Sequence, residues 1–167
     1  MSLNPNDIIY TIILNACAQL ANERAITLGK ELLNQILKKY NNNNILLNSA
    51  LDMLMKFNDI ENTEDLFKSI KKKDIVTYNI MMNGYNINAQ PIKCFDIFQQ
   101  MKKENLIIDE TAFTILINSC SQIGIMSRCQ AVADQIPSNL YNKPYIYTSL
   151  IDMWVSIYYL NSMENSF

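Results

Sequence analysis

The chain has 167 residues, 49% of them hydrophobic and 18% charged, a balance that allows one domain of ordinary size and argues against disorder. Three glycines and four prolines are too few to punctuate an all-β chain, so helices are expected throughout. A net charge of −2 and a pI near 5.1 exclude a general pull on polyanions or membrane surfaces, and no run approaches the 18 or so apolar residues of a membrane span.

In chain order, Met1 to Asp7 carries neither a secretory h-region nor an Arg-rich transit pattern, which reads as a cytoplasmic protein or one whose start is missing. Asp7 to Gln19 is a first helical segment, and Glu23 to Lys39 a second, with an amphipathic 3.6-residue pattern. Of the 22 asparagines, four fill Asn41 to Asn44, a polar run that reads as a loop. A helix around Asn48 to Leu54 is followed by one from Asn62 to Lys72. Asp74 to Tyr85 precedes a helix from Pro91 to Glu104, where Pro91 suits a first turn because its missing N–H is unbonded there anyway. The apolar face of that helix is assigned to Ile92, Phe95, Phe98 and Met101, with Ile97 beside them. Glu110 to Gln122 and Ser127 to Ile136 come next, and a last segment starts at Pro144. Lysines in Lys38-Lys39, Lys71 to Lys73 and Lys102-Lys103 are expected at helix C-termini, where the dipole favours cations. Cys17, Cys94, Cys120 and Cys129 form no C-x-x-C pair and read as reduced core thiols.

These segments repeat. Asp7 to Gln19 superimposes on Glu110 to Gln122, matching Thr11 to Thr114, Asn15 to Asn118 and Cys17 to Cys120. Asn48 to Leu54 superimposes on Thr148 to Trp154, and Asn79 takes the place of Asn48 in the segment between. The resulting helical pairs occupy 7–43, 44–74, 75–109, 110–143 and 144–167, with lengths of about 37, 31, 35 and 34 before the last, which is expected to stop early in its second helix at Phe167 as in a fragment. Two helices of this size cannot bury their apolar faces alone, so neighbouring pairs should stack into one α-solenoid domain. Tyr10, Tyr78, Phe113 and Trp154 are expected in the inter-helix core, and Asp59, Glu61, Glu64 and Asp65 on a solvated helix face.

The segment from Asp74 to Tyr85 resembles the pentatricopeptide opening D-V-V-T-Y-N-x-[LM]-I-x-G-Y, and Cys94 to Lys102 resembles its A-L-x-L-F-x-x-M-K. Leu14 to Ala18 is similar to the L-x-A-C-A of the family's long motif. Ala50 to Met53 with Glu64 to Phe67 is similar to the short motif, so the chain resembles the mixed-length subclass. The W…L-G…Y pattern of tetratricopeptides is not matched. The resemblance implies a right-handed α-solenoid that binds single-stranded RNA, one base per repeat, in mitochondrial RNA processing or editing, with a protein effector and no membrane, cofactor or small-molecule substrate.

On that resemblance each base is read by a polar first-helix residue and the residue closing the repeat. The pairs are Asn48 with Asp74 and Asn79 with Asp109 for uracil, Thr11 with Asn43 for adenine, and Thr114 with Lys143 without an assigned base; Thr148 has no partner in the chain. The bases would be sandwiched by Ile8, Ile45, Val76, Thr111 and Tyr145, and Lys56 would meet a phosphate. For each Asn or Thr the alternative is a plain helix cap. The chain has no histidine, which removes the zinc deaminase of editing relatives and Ser-His-Asp or Cys-His catalysis, so no enzyme is expected. The rival expectation, from the negative charge and sparse lysines, is a tetratricopeptide-like protein-interaction solenoid.

Overall fold

The computed structural model describes residues 5–39 and 42–164. Ten helices and no strand occur among them: α1 (Pro5–Leu20), α2 (Glu23–Lys39), α3 (Asn44–Lys56), α4 (Ile60–Ser69), α5 (Ile75–Ile87), α6 (Pro91–Lys103), α7 (Glu110–Ile123), α8 (Met126–Ala133), α9 (Ser138–Tyr141) and α10 (Pro144–Glu164). The residues group into two compact units, Met1–Asn88 with α1 to α5 and Ala89–Phe167 with α6 to α10.

Local chemistry sets the helix starts. Asn43, Asp74 and Asp109 cap α3, α5 and α7, each side chain accepting the backbone N–H three residues on. Asp74 and Thr77 complete a reciprocal capping box. Between the two helices of each of the first four repeats the chain reverses through one left-handed residue, Ala21, Asn58, Ala89 or Gly124, with φ of 44°, 56°, 54° and 69°, and in the third repeat Asn105 after α6 is left-handed as well. Each of the four between helices lies fourteen residues after its repeat begins. In the fifth repeat that position is Tyr158, and α10 runs through it to Glu164 without a turn. A bulky aromatic is among the least tolerant residues of positive φ, so the helix continues where the sequence led us to expect a second helix.

In the first unit α3 packs between α1 and α5, with α2 and α4 behind. Leu14, Leu51 and Met82 share one repeat position and are fully buried, as is Ile117 at that position in the second unit. Gly29 and Gly84 mark the closest approaches in the first unit, where a Cβ would land on Met53 and Met55 respectively. Tyr78 packs edge-on to Phe67 at 5.3 Å, and in the second unit Phe113 does the same with Phe98 at 5.7 Å. Tyr10 and Trp154 are only half-buried. All four cysteines are buried free thiols, and burial raises Cys17, Cys120 and Cys129 above the usual thiol range.

Several expectations need correction. The buried face of α6 is Cys94, Ile97, Phe98 and Met101, while Ile92 is exposed, because a strict three-residue spacing drifts around a helix of 3.6 residues per turn. α4 ends at Ser69, where buried Ile70 turns extended. Lys71 to Lys73 therefore lie beyond the helix, and the Lys73 ammonium donates to the Ile70 carbonyl at 2.8 Å and sits 4.9 Å over the Phe67 ring. Asp59 and Glu64 do not belong to a merely solvated face. Asp59 pairs with Lys30 of α2 at 2.6 Å, and Glu64 accepts from the Tyr85 hydroxyl at 2.9 Å. Burial alone would raise the Asp59 carboxyl, but the Lys30 ammonium and Asn62 donors outweigh it and hold it low.

Candidate nucleic-acid interface

The residues that close the first three repeats are the N-caps of the first helices that follow. This one fact gives Asn43, Asp74 and Asp109 a fixed side-chain direction, since each must present an oxygen to a backbone N–H in the first turn. Lys143 immediately precedes α10, is exposed, and has no acceptor to offer as a cap.

The second repeat shows a connected polar cluster. Asp74 Oδ1 accepts from Thr77 N at 2.8 Å and from Asn48 Nδ2 at 3.4 Å, and the Thr77 hydroxyl lies between Asp74 Oδ1 at 2.8 Å and Asn48 Oδ1 at 2.9 Å, donating to one at a time. Asp74 Oδ2 faces Asn44 Nδ2 at 3.5 Å. Asn44 also donates to the Lys72 carbonyl at 2.9 Å. Burial alone would raise the Asp74 carboxyl, but the Thr77 amide and hydroxyl together with Asn48 and Asn44 hold it below the usual carboxylate range. Asn48, though 8% exposed, keeps one N–H and one carbonyl lone pair beyond these bonds, a donor and acceptor side by side.

In the first repeat Asn43 donates to Asp7 Oδ2 at 2.9 Å while its Oδ1 caps Leu46 N at 3.3 Å. Thr11 does not reach Asn43 by a hydrogen bond in the structure; its hydroxyl donates back to the Asp7 carbonyl at 2.8 Å. Thr114 and Thr148 do the same to the Glu110 and Pro144 carbonyls, each at 2.9 Å. All three threonines therefore turn only lone pairs outward, unlike the carboxamide of Asn48. Asn79 is as buried as Asn48. Its partnership with Asp109 rests on repeat register, since the two belong to different compact units.

Ile8, Ile45 and Val76, at 46, 52 and 51% exposure, stand on the first turns of α1, α3 and α5, with exposed Thr111 and Tyr145 at the same position on α7 and α10. Half-exposed aliphatics one residue after the start of successive repeats are too open to be core. Lys56 is exposed and held on Asp52 at 2.7 Å, one helical turn back. Sequence reasoning missed Asp7, Asn44 and Thr77 as members of the polar cluster. The capping box spacing from Asp74 to Thr77 could have found the last of them.

No helix among the described residues is long and apolar enough to cross a membrane. No group of three histidine, cysteine, aspartate or glutamate residues is placed to hold a metal ion among them.

The PPR repeat family model matches residues 73–122, which contain Asp74, Asn79, Asp109 and Thr114. A pentatricopeptide repeat-containing protein of Arabidopsis thaliana is 30% identical over 146 residues, covering 86% of this chain and 20% of that protein. A chloroplastic one from the same plant is 33% identical over 125 residues, 73% of this chain and 16% of its own length. A mitochondrial one is 27% identical over 129 residues, 77% and 14%. The chain spans a fifth or less of the length of these three relatives. Family model, relatives and the stacked helical pairs agree, and the chain belongs to the pentatricopeptide repeat family.

Proposed function

We propose that the chain binds single-stranded RNA without catalysing a reaction on it, each repeat addressing one base. The observation that carries this reading is the Asn48 carboxamide, held by Asp74 and Thr77 with a donor and an acceptor unspent, with exposed aliphatics Ile45 and Val76 on the first turns of the two helices that carry the cluster. Uracil offers an N–H between two carbonyl oxygens, so one carboxamide answers both kinds of group, and the aliphatics would flank its faces. By repeat register alone Asn79 takes the place of Asn48 and Asp109 that of Asp74, and we extend the uracil assignment to them. Thr11, which can only accept outward, with Asn43, which retains an N–H, fits the amino group and ring nitrogen of adenine. Thr114 with Lys143, and Thr148, hold the same repeat positions with no assigned base. Lys56 would have to leave Asp52 to meet a phosphate, so affinity should rest on base contacts more than on charge. We place this work in an organelle, the mitochondrion, in RNA processing or editing beside a protein effector.

Fluorescence anisotropy of the 167-residue chain with labelled oligouridine and oligoadenosine at moderate salt tests the reading. A good base pair of contacts is worth about 1–3 kcal/mol, so two uracil positions should favour oligouridine by about tenfold or more. Asn48→Ala should erase much of that preference. Equal binding to both, or none to either, would overturn the proposal and favour the protein-interaction solenoid that the net charge of −2 also suits.

A further inference from the structure

In the first two repeats the residue that opens the repeat hydrogen-bonds the residue that closes it, and their donor and acceptor characters are matched. In the first repeat the opener is Asp7, an acceptor, and the closer is Asn43, which donates to it at 2.9 Å. In the second the polarity is reversed, with Asn44 the donor and Asp74 the acceptor at 3.5 Å. The fourth repeat carries opposite charges at the same two positions, Glu110 and Lys143. The third breaks the pattern with apolar Ile75. A helix cap constrains only one end of the closing side chain; the opener constrains the other. Asn43 shows the consequence. Its oxygen is committed to Leu46 N and its nitrogen to Asp7, so the amide has a single orientation and presents its remaining N–H on a fixed side.

We infer that the opening residue is a positioning residue for base recognition, so that Asp7 and Asn44 set which polar edge Asn43 and Asp74 offer. This rests on the RNA-binding reading above. The chemistry is one of donor conflict. If Asp74 became an asparagine, its oxygen would stay on Thr77 N as the cap, because the alternative turns a donor onto a donor. The new amide nitrogen would then take the place of Oδ2, facing Asn44 Nδ2, and two N–H groups would oppose each other. Asn44 can flip to accept only by surrendering its bond to the Lys72 carbonyl. Changing Asn44 to aspartate removes that conflict at the cost of the bond to the Lys72 carbonyl, and reproduces the Asp, Thr, Asn set of the first repeat at positions 44, 48 and 74. An aspartate there also suits the first turn of α3, where the helix dipole favours negative charge.

The test compares N48T/D74N with N44D/N48T/D74N in the full chain, each confirmed folded by circular dichroism. The probes are labelled oligouridines carrying a single adenine at successive positions. For the wild type, adenine should weaken binding at the two positions read by the second and third repeats, and the variants alter the position read by the second. The triple variant should prefer adenine at that position by about tenfold, and the double variant should show little preference there for either base. Equal preferences in double and triple variants would overturn the positioning role while leaving the RNA reading intact. A wild type indifferent to adenine at every position would overturn both. Should the triple variant not fold, the mirror set D7N/T11N/N43D in the first repeat must carry the preference of the second, and failure to do so while D7N alone is neutral overturns the inference.

Discussion

Gly84→Ala should destabilise the protein although it replaces a glycine in the middle of a helix. In an exposed helix that change gains about 1 kcal/mol, because alanine loses less backbone freedom on folding. Here α5 lies so close on α3 that the new Cβ would collide with the Met55 side chain, at 2.8 Å from its Cβ and 2.6 Å from its sulfur. Rotation of Met55 moves the sulfur but not its Cβ, so the helices must separate. Asn88 opposes that movement by donating to the Met55 carbonyl at 2.9 Å and the Gly84 carbonyl at 2.8 Å. Overpacking a tight core costs typically about 1–3 kcal/mol, and with no side-chain escape the upper half of that range applies. The net loss is about 1–2 kcal/mol, read as a lower midpoint in urea at unchanged slope. Gly29→Ala is the control. Its Cβ would meet the Met53 sulfur at 2.5 Å and the Met53 methyl and Phe57 ring edge at 3.2 Å, the far ends of side chains that can swing. It should fall within about 1 kcal/mol of wild type. A Gly84→Ala variant as stable as Gly29→Ala would refute the inferred spacing of α3 and α5.

Two other predictions concern the turns and the polar cluster. Ala21→Gly and Ala89→Gly should each stabilise, by up to about 1 kcal/mol, since alanine is strained at φ of 44° and 54° and glycine is not; differential scanning calorimetry should show a raised midpoint, whereas a fall would mean that those turns relax in solution. Asp74 has a lowered carboxyl, so its contribution to stability is present above the unfolded value of about 3.9 and is lost as pH falls through the folded value below it. The stability gap between wild type and Asp74→Asn should therefore close as pH drops below about 4, and a gap that widens there would contradict the hydrogen bonding described for that carboxylate.

The sequence by itself determined the helical class, the repeat and most first-helix starts. Those are local properties: Asn44, Ile75 and Glu110 begin helices because Asn43, Asp74 and Asp109 cap them, and Pro144 can occupy a first turn without losing a bond. The candidate reading positions were legible for the same reason, recurring at one spacing from a capped start. What they bond to was not legible. Asp7 reaches Asn43 across 36 residues and Asn44 reaches Asp74 across 30, and only the stacking of one repeat on the next brings each pair together. Tertiary structure also decided the side of α6 that is buried, the early end of α4 at Ser69 and the uninterrupted run of α10 through Tyr158. Helix propensity and period are carried by a few neighbouring residues. Which face finds a partner, and where a left-handed turn is worth its strain, depend on surfaces contributed from elsewhere in the chain.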